Sequence, residues 1–80
     1  MEYNKDDIEK AVRKILRDAR DAVSARMAIR IMHSQELPHD ISIVVEPRVN
    51  FRRKIRTAHF VLAHKSDKLA PIHISITIEV

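Results

Sequence analysis

Val44-Val45-Glu46-Pro47-Arg48-Val49-Asn50-Phe51-Arg52-Arg53-Lys54-Ile55 is the stretch whose reading decides how the chain divides. Its first residues complete an alternating apolar pattern. Pro47 then has no N–H to give a ladder, so a strand should stop there. Asn50 suits a helix N-cap. After it, Phe51, Ile55, Ala58 and Leu62 fall on one helical face, with His59 at its border. As a single strand, residues 50–66 would far exceed the usual length of about 5–6 residues. The spacing therefore predicts a helix over 50–66. It also sets Arg48, Arg52, Arg53 and Lys54 near that helix's start, where the dipole disfavours cations.

Upstream, Ile41, Ile43 and Val45 alternate with Ser42, Val44 and Glu46, which is strand spacing. Ser34-Gln35-Glu36-Leu37-Pro38-His39 reads as a polar turn. Before it, Met27, Ile29 and Ile31 alternate with Ala28, Arg30 and Met32, giving a first strand that would pair with the 41–46 strand as a hairpin. Residues 5 to about 25 form a helix, capped by Asn4 or Asp6, with Asp6, Asp7 and Glu9 at the positive end of its dipole. Its stripe is Ile8, Val12, Ile15, Leu16, Ala19, Ala22 and Val23. Continuing that helix would bring Arg26 and Arg30 into the stripe, so the period is read as changing there. Downstream of 50–66, Ser66–Pro71 is a loop. Ile72, Ile74, Ile76, Ile78 and Val80 alternate with His73, Ser75, Thr77 and Glu79 in the clearest strand of the chain.

The predicted order is α-β-β-α-β: an α+β chain with a three-stranded antiparallel sheet and two helices on one face. The whole of 1–80 reads as a single small domain. The opposite sheet face, bearing His73, Ser75, Thr77, Arg30 and Ser42, is then solvated or meets a partner.

Composition narrows the function classes. With no cysteine, disulfides, thiolate catalysis and cysteine zinc sites are excluded. With no glycine, a phosphate loop, a dinucleotide fingerprint and a glycine helix stop are excluded. No apolar run approaches the ~20 residues of a membrane span, and the charged N-terminus does not read as a signal peptide. The expected compartment is the cytoplasm. The net charge of +4 admits an anionic partner. No serine lies in a nucleophile motif, and the chain is not expected to be an enzyme.

Three patches resemble the C-terminal cytoplasmic domain of cation diffusion facilitator transporters. Val45-Glu46-Pro47-Arg48-Val49-Asn50-Phe51 is similar to that family's strand-to-helix junction, Val-Asp-Pro-x-Leu-Ser-Leu. Ile74-Ser75-Ile76-Thr77-Ile78-Glu79 is similar to its last strand, and Ile29-Arg30 to the Leu-Arg pair on its first. The resemblance implies an αββαβ fold of the ferredoxin-like, metallochaperone-like kind. It also implies a homodimer and a regulatory role, with divalent metal held between subunits. The family's metal-binding histidines fall on Ile55, Thr77 and Met27, none of which is a suitable ligand. Metal binding is therefore expected to be weak or absent.

Two groups remain as candidate sites. His33 and His39 flank the predicted hairpin turn, with Glu36 and Asp40 nearby, and could share an ion such as zinc. Arg48, Arg52, Arg53, Lys54 and Arg56 form a basic group suited to phosphate. Tyr3, Phe51 and Phe60 are too few aromatics for a single-strand stacking platform. The expected function is a cytosolic dimerisation or regulatory module similar to the transporter domain. The alternative is a small basic nucleic-acid-binding protein.

Overall fold

A computed structural model describes residues 4–36, 41–43, 46–64 and 70–80, with Glu36, 41–43 and His64 described by backbone alone. Helix α1 spans Lys5–Asp18. Asn4 caps it, its Oδ1 accepting the Asp6 N–H at 2.9 Å, while Asp6 and Asp7 sit in the first turn. Ile8, Val12 and Leu16 from the expected stripe are buried. Without a glycine, the helix ends where Ala19 turns to extended backbone, φ −68° and ψ 143°.

A second helix, α2, spans Ala22–Glu36. The residues read above as a strand over 27–32 lie inside it. Asp21 and Ser24 build a reciprocal N-terminal cap: the Ser24 N–H donates to Asp21 Oδ1 at 2.8 Å, and the Asp21 N–H donates to Ser24 Oγ at 3.2 Å. The break at Ala19–Asp21 resets the helical phase. Ala25, Ile29 and Met32 therefore turn inward and Arg30 turns out. Met27 and Ile31, two residues either side of Ile29, are 56% and 52% exposed. What resembled strand alternation is apolar residues on two faces of one helix.

Strands β1 (Ile41–Ile43), β2 (Arg48–Arg52), β3 (Ile55–His64) and β4 (Ile72–Glu79) follow. β1 and β2 lie end to end along one side of β3, and β4 pairs with its other side, all antiparallel, so the sheet is three strands wide. Ile43 faces Leu62 and Arg48 faces His59, so the chain spends four residues where β3 spends two. Pro47, fully buried and without an N–H, sits in that break. Strand pairing resumes immediately after it, where a helix was expected. Residues 50–64 are therefore not helical, because a two-residue turn at Arg53-Lys54 folds the run into a hairpin with Arg52 opposite Ile55. Arg53 takes φ 50°, the left-handed conformation usually given to glycine or asparagine, so no familiar turn residue marked the position. The Val80 N–H donates to the Lys54 carbonyl at 2.7 Å and ties the turn to the end of β4.

Two helices and an antiparallel sheet make the chain α+β, as expected, and the last strand falls where its alternation placed it. Along the chain the elements run α-α-β-β-β-β. One face of the sheet carries Ala58, Phe60 and Leu62 on β3 and Ile74, Ile76 and Ile78 on β4. These pack with Ile8, Val12, Leu16, Ala25, Ile29 and Met32 of the helices in one core. Among the described residues no helix is long and apolar enough to cross a membrane.

Candidate nucleic-acid interface

Alternation gives the sheet a second face, and no described element covers it. Strand register aligns its side chains in rows. Arg48, His59 and Ser75 form one row, Asn50, Thr57 and Thr77 the next, and Arg52, Ile55 and Glu79 the third. Arg48, Asn50, Arg52, His59, Ser75, Thr77 and Glu79 are all exposed. His73 is exposed on the same face, as expected, and Ser42 shares it by register with Ala63. Arg30 is not part of it: it lies on α2 and pairs with Glu46.

The two arginines of β2 lie four residues apart, about 13 Å at the usual rise per residue. Arg53 and Lys54 add their charges at the hairpin tip, both exposed. From Arg48 to Lys54 no carboxylate interrupts the run. Beside β2, Arg26 of α2, Glu46, Arg48, Asn50, Thr57 and His59 line an open groove of about 590 Å³. The surface thus combines an uncharged polar centre with cations at both ends of one strand and at the adjoining turn, and with the Glu79 carboxylate in the row of Arg52.

Arg56 belongs elsewhere. Strand alternation puts it on the core face of β3, in phase with Ala58 and Phe60. Its Nη1 donates toward the carbonyls of Leu16 at 2.7 Å, Arg17 at 3.1 Å and Ala19 at 3.0 Å. These are the carbonyls that a helix end leaves without partners, and the negative end of the helix dipole favours the cation there. The guanidinium also lies 4.4 Å from the centroid of the Phe51 ring. Arg56 therefore closes α1, the task a glycine C-cap would otherwise perform, and is withdrawn from the anion-binding group. Its signal in the sequence is a cation in the apolar phase of an alternating run.

His33 and His39 are not brought together by a hairpin turn, because His33 lies within α2. His39 lies outside the described residues. Among the described residues, no group of three or more His, Asp or Glu side chains could hold a metal ion. Among the described residues, the Asp21 carboxyl carries a shifted titration. Hydrogen bonds from the Ser24 backbone N–H and hydroxyl hold it below its ordinary value of 3.8.

Comparison with protein-family models, curated proteins and solved structures finds no match. The helix that the transporter-domain likeness places after Pro47 is occupied by β2.

Proposed function

We propose that this chain binds duplex nucleic acid on the open face of its sheet, with Arg48, Arg52, Arg53 and Lys54 as the phosphate-contacting residues. The observation that carries this reading is the uncovered sheet face, where Arg48 and Arg52 flank an uncharged polar centre and the cationic turn extends it. Phosphate contacts of this kind supply affinity without reading sequence and release counterions on binding. The scarcity of aromatics on this face favours a duplex over a single strand. Fluorescence anisotropy of a labelled 16-base-pair duplex at two salt concentrations tests the reading. Binding should be measurable at 50 mM salt and fall steeply by 200 mM. Absence of binding at the lower concentration refutes it.

A second reading has its own observation. Val23, Met27 and Ile31 form an exposed apolar stripe on α2, 52–56% exposed, directly opposite the helix's buried face. Three large apolar side chains exposed in line on one helix face are suited to burial against a partner. A second copy, antiparallel with Met27 at the two-fold axis, would set Val23 against the partner's Ile31 and bury that face, giving the homodimer that the transporter-domain likeness implies. Sedimentation of the chain and of Met27→Glu tests it. A dimeric parent and a monomeric variant support the reading, and a monomeric parent at 100 μM sinks it.

A further inference from the structure

We propose that the outer edge of β4 is the docking site for a second copy of this chain, whose own β4 pairs with it antiparallel across a two-fold axis at Ile76. The two sheets then run together as one.

The direction of the free backbone groups follows from one hydrogen bond. The Val80 N–H donates to the Lys54 carbonyl at 2.7 Å, which continues the β3–β4 register by one pair. In an antiparallel ladder, residues bonded to the neighbour alternate with residues whose groups point away. Ile78, Ile76, Ile74 and Ile72 therefore bond toward β3, while His73, Ser75, Thr77 and Glu79 turn their N–H and C=O groups outward. Among the described residues only β3 pairs with β4, so these groups have no backbone partner.

The two edges of the sheet are built differently. On the β2 side the pairing is interrupted at Pro47, and Arg48 and Arg52 add charge. Those are devices that keep a foreign strand off an edge. β4 lacks them: it runs from Ile72 to Glu79 in unbroken register, with no proline, lysine or arginine. A long, regular edge of this kind is a template for another strand.

The sequence of β4 is complementary to itself. Pairing must set residues of one sheet face opposite each other, which restricts the register. With the axis at Ile76, Ser75 opposes the partner's Thr77 and His73 opposes the partner's Glu79. Every outward N–H and C=O of the four residues then has a partner, and an imidazole meets a carboxylate at both ends of the interface. An axis at Ser75 would set Glu79 against the partner's Pro71, which has no N–H to give. An axis at Thr77 would part His73 from the partner's Glu79. On the core face, Ile76 meets the partner's Ile76, Ile74 the partner's Ile78 and Ile72 the partner's Val80. Val80 is 54% exposed in the single chain, and this contact covers it. Such a two-fold interface closes on itself and leaves no further edge of β4. Helix α2 packs on β2, at the far side of the sheet, so its exposed stripe is a separate interface.

Sedimentation and amide exchange followed by NMR decide between the two. The parent should sediment as a dimer at 100 μM. As concentration rises, the His73, Ser75, Thr77 and Glu79 amides should slow together. Thr77→Pro removes one outward donor per copy, two interface hydrogen bonds in all, and should weaken the dimer about thirtyfold. His73→Glu, at an exposed site, sets like charges opposite each other at both ends and should weaken it about tenfold. Adding Glu79→Lys to His73→Glu should restore the parent's affinity, and Met27→Glu should leave the dimer intact. A monomeric parent overturns the proposal. So does a dimer in which those four amides exchange at rates independent of concentration, one that His73→Glu leaves as tight as the parent, or one that Met27→Glu dissolves.

Discussion

The salt dependence of the proposed duplex binding can be worked out from the strand. In the proposed complex the exposed Arg48, Arg52, Arg53 and Lys54 would make up to four phosphate contacts. Each contributes about −0.9 to the slope of log K against log salt, giving about −3.6 in total. A rise from 50 to 200 mM should then weaken binding by about 150-fold. Replacing Arg48 and Arg52 together by alanine removes about half of the contacts. The slope should fall to about −1.8 and the loss over the same range to about 12-fold. Both side chains are exposed, so stability should change by less than about 0.5 kcal/mol per site, which urea unfolding checks. Lys10→Ala with Lys14→Ala is the matched control. Those residues carry the same charge and are exposed on α1, the layer behind the sheet. Anisotropy at five salt concentrations should show their slope unchanged from the parent. A parent slope shallower than about −1, or equal slopes for the arginine and lysine pairs, would refute the assignment of the open sheet face.

Other substitutions separate structural roles from binding. Arg56→Ala should cost about 2 kcal/mol in urea unfolding, because it strands the carbonyls of Leu16, Arg17 and Ala19 and leaves the salt slope untouched. Arg53→Gly should act in opposite directions. It relieves a positive φ worth about 1–2 kcal/mol, partly offset by glycine's freedom when unfolded, for a net gain near 0.5 kcal/mol. It should also lower the salt slope by about 0.9. Leu16→Ala, at a fully buried site in the core, should cost about 3 kcal/mol by the same unfolding assay. Asp21 has its folded value depressed, so its share of stability is present above pH 3.8 and is lost as pH falls through the depressed value. Ser24→Ala should move the Asp21 carboxyl titration, followed by NMR, upward toward 3.8.

The elements legible from sequence are those where one signal acts alone. The first helix has a cap, an acidic first turn and an uninterrupted stripe through Leu16. The last strand has five period-two apolar residues. The strand holds as read, while the helix read over 5 to about 25 holds only to Asp18, because Ala19 turns extended and residues 22–25 open a second helix. The residues between 22 and 36 carry apolar side chains on two faces of one helix, and the outer set supplied a false alternation. The reciprocal cap at Asp21 and Ser24 was the local evidence for a new helix, and only its serine spacing was visible. At residues 50–64 the length argument failed because the run contains a turn made without glycine, asparagine or proline at its centre. Arg53 supplies the positive φ, a choice that propensity alone would not make. The site was legible in composition before it was legible in place. Arg48, Arg52, Arg53 and Lys54 were named as cations of a helix start, and the strand ladder sorts them onto an open face while withdrawing Arg56 to a helix end.

Cations on an outer strand also protect a sheet from pairing with another chain, and Pro47 beside β2 would serve the same end. Protection requires charge or a proline, and either sign suffices. The distribution here is more specific than that. Between residues 5 and 21 the helix layer carries Asp6, Asp7, Glu9, Asp18 and Asp21 among its lysines and arginines, so the two signs nearly balance. From Arg48 to Lys54 every charge is positive. The modest net charge of +4 is therefore the sum of a mixed layer and a layer whose outer strand and turn have one sign. The field of such a strand and turn would favour an approaching polyanion over a neutral partner. An edge protected only against its own kind would gain nothing from that separation of sign. A surface that attracts a phosphate backbone, as proposed above, would use it.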